Sequence, residues 1–125
     1  MKATKRQPLV ALLYTVPLLQ EALRSTLDTI AEVEAFPARR GDVTGLLRSI
    51  NPDAVVVDDS YEADEVQRWA KRHRTPVVHI CLSDQTIRVL RNGEWNESTG
   101  TSVESIRNVL AGSLYGRGSE HERDH

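Results

Sequence analysis

The chain has a single cysteine, Cys81, in 125 residues. That excludes an intrachain disulfide and a multi-cysteine zinc site, and it suits a reducing, cytoplasmic compartment. Long apolar runs are missing as well: none approaches the roughly 20 residues of a membrane span. The basic start, Met1-Lys2-Ala3-Thr4-Lys5-Arg6, is followed by only a short apolar run at residues 9–13 before a helical period resumes. A signal peptide is therefore rejected. An excess of either charge is absent, since 16 Lys and Arg against 18 Asp and Glu leave a formal net charge of −2. This gives no electrostatic case for nucleic acid or an anionic membrane as partner. The turn Tyr14-Thr15-Val16-Pro17 has no glycine for close backbone approach to a phosphate, which argues against a dinucleotide or flavin site. No cofactor is expected.

What is present describes one ordinary globular domain. Hydrophobic residues make up 39% and charged residues 27%, and the length suffices for a proper core. Residues 8–14 read as a central strand. A helix beginning near Pro17, with Thr15 as its cap, places Leu19, Ala22, Leu23, Leu27 and Ile30 on one stripe. Residues 31–36 form a short strand. Asp42 caps a helix carrying Val43, Leu46, Leu47 and Ile50 inward, and Asn51-Pro52 ends it. Pro52-Asp53-Ala54-Val55-Val56-Val57-Asp58 reads as a buried parallel strand that delivers an aspartate to its carboxyl end. A third helix runs to about Arg74, with Val66, Trp69, Ala70 and His73 as its inner face, and residues 77–82 make a fourth strand.

This alternation predicts a parallel sheet with helices on both faces. The pattern then breaks. Residues 86–91 alternate apolar and polar, and Asn92-Gly93 is a strong hairpin signal. An antiparallel pair, residues 86–91 and 94–97, is expected at the sheet edge. Thr101-Ser102-Val103-Glu104 has the form of a capping box. It opens a last helix with Val103, Ile106, Val109, Leu110 and Leu114 inward, and Gly116 is expected to end it. The resulting division is an amino-terminal tail at 1–7, one domain at 8–116 and a disordered tail at 117–125.

Two segments carry a resemblance. Pro17-Leu18-Leu19-Gln20-Glu21-Ala22-Leu23-Arg24-Ser25-Thr26-Leu27 resembles the first helix of the receiver domains attached to DNA-binding response regulators of bacterial two-component systems. Pro52 to Asp58 resembles their third strand, which ends at the phosphoacceptor. The resemblance covers roughly residues 8–82. It implies an α/β, flavodoxin-like three-layer αβα sandwich with parallel sheet order 2-1-3-4, here extended by the edge hairpin.

The departures from that family are informative. Working receivers hold Mg²⁺ on an acidic pair after the first strand, and this chain has Tyr14 and Thr15 there. A hard cation needs those carboxylates, so no metal is expected. The family's Ser/Thr after strand four falls near Cys81, and no lysine follows Lys71 to pair with a phosphate. The hairpin replaces the fourth helix. Of the family's working parts only Asp58 remains, in a degenerate phosphoacceptor position. The resemblance thus implies a non-catalytic pseudo-receiver: a signalling module that binds a protein partner or itself as a homodimer, independently of phosphorylation.

The alternatives are a small-ligand sensor at the carboxyl ends of strands one and three, lined by Tyr14, Thr15, Asp59 and Cys81, or a residual phosphoacceptor at Asp58. His79 lies two residues from Cys81 and on the same strand face, with no third group to orient it, so burial is the favoured reading for the cysteine. The basic run Arg68, Lys71, Arg72, His73, Arg74 suits a helix carboxyl terminus and lacks interleaved aromatics. His121 and His125 fit a solvated tail. Trp95, with Arg88 and Arg91, is the expected interaction surface on the hairpin, set against a role in which Trp95 covers the last helix.

Overall fold

A computed structural model of the chain describes residues 7–38, 41–91, 93–99 and 102–123. The elements follow as β1 (Leu9–Tyr14), α1 (Pro17–Leu27), β2 (Glu32–Pro37), α2 (Val43–Ile50), β3 (Ala54–Val57), α3 (Ser60–His73), β4 (Val77–Cys81), β5 (Thr86–Arg91), β6 (Glu94–Thr99) and α4 (Val103–Arg123). The strands build one sheet in the order β2-β1-β3-β4-β5-β6. Pairings among β2, β1, β3 and β4 are parallel, whereas β4–β5 and β5–β6 are antiparallel. The sheet is therefore six-stranded and mixed: its parallel part is β2-β1-β3-β4, and the hairpin continues it at the β4 edge. The physical reason is the full-length pairing of β5 with β4, from Val77↔Leu90 to Cys81↔Thr86. It makes the hairpin an integral part of the sheet.

Side-chain alternation divides the core into two layers. Val10, Leu12, Ala54, Val56, Val78, Ile80, Ile87 and Val89 point to one face, where Leu23 and Leu27 of α1 and Ile106 and Leu110 of α4 cover them. Ala11, Leu13, Val55, Val57, Val77 and Leu90 point to the other, under Val43 and Leu47 of α2 and Val66, Trp69 and Ala70 of α3. All four residues of β3 are buried, as a strand covered on both faces requires. Each fully buried valine or leucine contributes about 1.5–3 kcal/mol to folding.

Local chemistry sets the element ends, in several places differently from the sequence expectation. The Asp42 carboxylate accepts from Gly45 N at 3.0 Å and caps α2, whose end is Asn51 in the left-handed region. Val16, not Thr15, is the cap residue of α1, and it contributes no side-chain bond. Ser102 caps α4, its Oγ accepting from Ser105 N at 3.1 Å. Thr101 lies outside the described residues, as do Asn92 and the Val103 side chain. Gly93, at φ +81, adopts the backbone that the tight hairpin turn demands. α4 continues past Gly116 to Arg123, since a helix-interior glycine costs only about 1 kcal/mol. β2 and β6 extend to Pro37 and Thr99, beyond the expected 36 and 97. His73, expected on the inner face of α3, is exposed and stacks on Trp69 with ring centroids 4.6 Å apart.

Candidate functional site

Parallel strands bring the ends of β1, β3 and β4 together, with β3 in the middle. Asp58 follows β3 directly and its carboxylate reaches across to the β1–α1 turn. Oδ1 accepts from Thr15 N at 2.9 Å and from the Thr15 hydroxyl at 3.0 Å. Oδ2 accepts from Thr15 N at 3.1 Å and Val16 N at 3.3 Å. Both oxygens are thereby engaged by the turn. The Asp58 N–H in turn donates to Leu13 O at 3.3 Å. The carboxylate does for this turn what a capping side chain does for a helix: it satisfies amide donors that the backbone leaves unpaired.

Asp59 turns the other way. It is buried and caps α3, accepting from Glu62 N at 3.0 Å. Tyr14 is half-buried and packs into the α1/α4 layer, on the opposite side of the sheet from Asp59. Cys81 is half-buried, and its thiol donates to Asp84 Oδ2 at 3.4 Å with Ser83 Oγ at 3.8 Å. The thiol is thus held by its own turn. Among the sequence-derived site residues, Thr15 and the phosphoacceptor-position Asp58 meet in direct hydrogen bonds. A hollow of about 200 Å³ does open at this end, lined by Leu13, Pro37, Gly41, Asp42, Val43, Leu46 and Glu62. Tyr14, Thr15, Asp59 and Cys81 are not among its lining residues. No group of three or more His, Cys, Asp or Glu suited to a metal ion occurs among the described residues.

His79 lies beside this end on the α2/α3 face. It is 4% exposed, and neither ring nitrogen has a hydrogen-bond partner. Burial holds its pKa below the ordinary value of 6.5, and the Arg88 guanidinium adds to the effect; Asp59, Asp64 and Asp58 pull the other way. Its ring meets that of Trp95 edge to face, with centroids 6.5 Å apart.

The hairpin residues are committed within the molecule. Trp95 is half-buried against the α2/α3 layer, and its Nε1–H donates to Gln67 Oε1 of α3 at 3.2 Å. It therefore covers α3, not the last helix. The Arg88 guanidinium sits 4.6 Å above the Trp95 ring. Arg91, on the other face, donates from Nε to Ser113 Oγ of α4 at 3.2 Å and so ties the hairpin to that helix. Sequence reading missed a different group. Among the described residues, Leu18 at 77% exposure, Tyr61 at 76% and Leu82 at 42% are the exposed large apolar ones. All three lie at the carboxyl end of the sheet, in the first turns of α1 and α3 and just after β4. Leu18 was legible in outline, because it falls off the stripe defined by Leu19, Leu23 and Leu27.

Comparison of the chain with known protein families, with curated proteins and with solved structures finds no match. The described helices include none long and apolar enough to cross a membrane.

Proposed function

We propose that this chain is a flavodoxin-like pseudo-receiver: a non-catalytic signalling module that binds a protein partner and works without phosphorylation. One observation carries the reading. The Asp58 carboxylate, the only retained part of the receiver chemistry, spends both oxygens on Thr15 and Val16. A phosphoacceptor must present an oxygen to the incoming phosphoryl group and needs cationic charge to offset what develops there. Here attack would first break the bonds that hold the β1–α1 turn. The exposed Leu18, Tyr61 and Leu82 at the same end offer apolar surface to a partner. The test is intact-mass analysis after incubation with acetyl phosphate and Mg²⁺. No mass gain is expected, and a phosphoryl adduct on Asp58 would overturn the proposal.

A second reading has its own observation. The hollow beside Leu13 and Val43 combines an apolar floor with the Asp42 and Glu62 carboxylates, the composition of a small-molecule site. Under this reading the chain is a ligand sensor. A thermal-shift screen that finds a stabilising small molecule, with the effect abolished in Leu46→Trp, would favour it.

A further inference from the structure

We propose that the groove between α2 and α3 is an oxyanion site that takes a phosphate group, free or carried as a monoester. It goes beyond the interaction-module reading and uses different residues. The groove is a hollow of about 290 Å³ into which Arg48 of α2 and Arg68, Arg72 and His73 of α3 converge, with Trp69 as a wall and Glu65 as the one carboxylate among the described residues that line it. This size lies near the lower end of small-molecule sites, about 300–1,000 Å³.

Three features separate the groove from a solvated basic face. First, Arg48 and Arg72 sit in the last turns of their helices, where a cation complements the helix dipole. That accounts for one charge on each helix, not for three guanidiniums around one hollow. Second, the other arginines with described contacts are committed: Arg24 donates to Val33 O, Arg91 to Ser113 Oγ, and Arg88 lies over the Trp95 ring. Among the described residues Arg48, Arg68 and Arg72 show no such hydrogen bond, and Arg48 has only a through-space attraction to the Asp42 carboxylate, the weakest influence on that group. Third, the Trp69 indole is 4% exposed, and its Nε1–H is buried without an acceptor. The ring itself lines the groove, so its indole signal reports on an occupant. His73 contributes as well. Its Nδ1–H donates to Trp69 O at 2.9 Å and its ring stacks on the indole, which fixes the imidazole at the edge of the groove.

The choice of phosphate follows from stoichiometry. A carboxylate uses one guanidinium fork, whereas a phosphomonoester offers three terminal oxygens and about two negative charges at neutral pH. Three arginines against one carboxylate match the second.

The experiment is a titration of the isotope-labelled chain by NMR, read at the two indole N–H signals and assigned with Trp95→Phe. Inorganic phosphate and O-phosphoserine are compared with sodium chloride and glutamate at matched ionic strength. Both phosphates are expected to move the Trp69 signal saturably, with dissociation constants of about a millimolar or below, and to leave Trp95 in place. Tighter binding of phosphoserine assigns the site to a monoester, and equal binding assigns it to free phosphate. Arg48→Ala and Arg72→Ala should each weaken binding about tenfold, the loss expected for a hydrogen bond between charged groups. Arg24→Ala should bind as the wild type does. An unchanged Trp95 signal shows that each variant is folded. A Trp69 signal that stays still, that moves equally with chloride, or that responds identically in the arginine variants overturns the proposal.

Discussion

The two faces of the sheet are built differently. The α1/α4 face is aliphatic: Val10, Leu12, Leu23, Leu27, Ile80, Ile87, Ile106 and Leu110 fill it. The α2/α3 side holds the buried polar residues Asp59, Glu62 and His79, both tryptophans, and the unpaired nitrogens of Trp69 and His79. A dry aliphatic layer specifies a fold through shape and area. A layer with unpaired polar atoms gives up stability, and such local conflicts tend to mark functional regions. The comparison teaches that the α1/α4 face is shaped by aliphatic packing, and that the α2/α3 face carries the buried nitrogens left without partners.

The sharpest way to break this contrast is to damage the aliphatic side. Leu12→Ala should cost about 3–5 kcal/mol, because Leu12 is fully buried beneath both helices of that face. Urea denaturation measures it, and a loss below about 1 kcal/mol would show that this layer is not the stabilising one. Next in size is the turn anchor. Asp58→Ala leaves the Thr15 and Val16 donors unpaired and should cost about 2–3 kcal/mol, as for hydrogen bonds to a charged group. Asp58→Asn keeps one acceptor oxygen and should lose less.

The third test acts on the other face with the opposite sign. His79→Leu removes two unpaired buried nitrogens and should be neutral or stabilise by about 1 kcal/mol. The pH dependence follows from the direction of its shift. The folded-state pKa lies below the ordinary 6.5, so the unfolded chain binds the proton more readily. Stability should therefore fall as pH drops below about 6.5 toward the depressed value, and be recovered as pH rises through that window. His79→Leu should flatten that part of the profile. The Asp42 carboxyl, lowered mainly by the Gly45 N–H, loses its contribution only at more acid pH, below its ordinary 3.8. Unchanged acid sensitivity in His79→Leu would refute the assignment. Smallest of all, Arg88→Ala removes the cation over the Trp95 ring and should cost about 0.5–1 kcal/mol. A double-mutant cycle with Trp95→Leu isolates that coupling.

Much of the scaffold was legible because its signals are local. The run Ala54–Val57 with a proline before it and an aspartate after it reads as a strand at any position in a protein. Asp42 at the start of α2, and the alternation in Thr86–Arg91, work in the same way. The errors have a common cause. Thr15 has the composition of a helix cap, but its hydroxyl is taken by a carboxylate 43 residues away. Ser102 competes with Thr101 for one role, and propensity does not separate them. Trp95 was placed between a partner and the last helix because either suits a half-exposed indole. It went to α3, since its pairing with Leu90 puts both on that face.

The sequence by itself determined the alternation of strands and helices, the hairpin and the membership of the two apolar stripes, because periodicity and turn chemistry act over a few residues. Only the tertiary structure decided that Asp58 braces a turn, that Gln67 receives the Trp95 indole 28 residues on, and that Arg48 joins Arg68 and Arg72 around one hollow. Those outcomes depend on strand register and on which face each helix covers. They are set when the whole core closes, and no local window of sequence contains them.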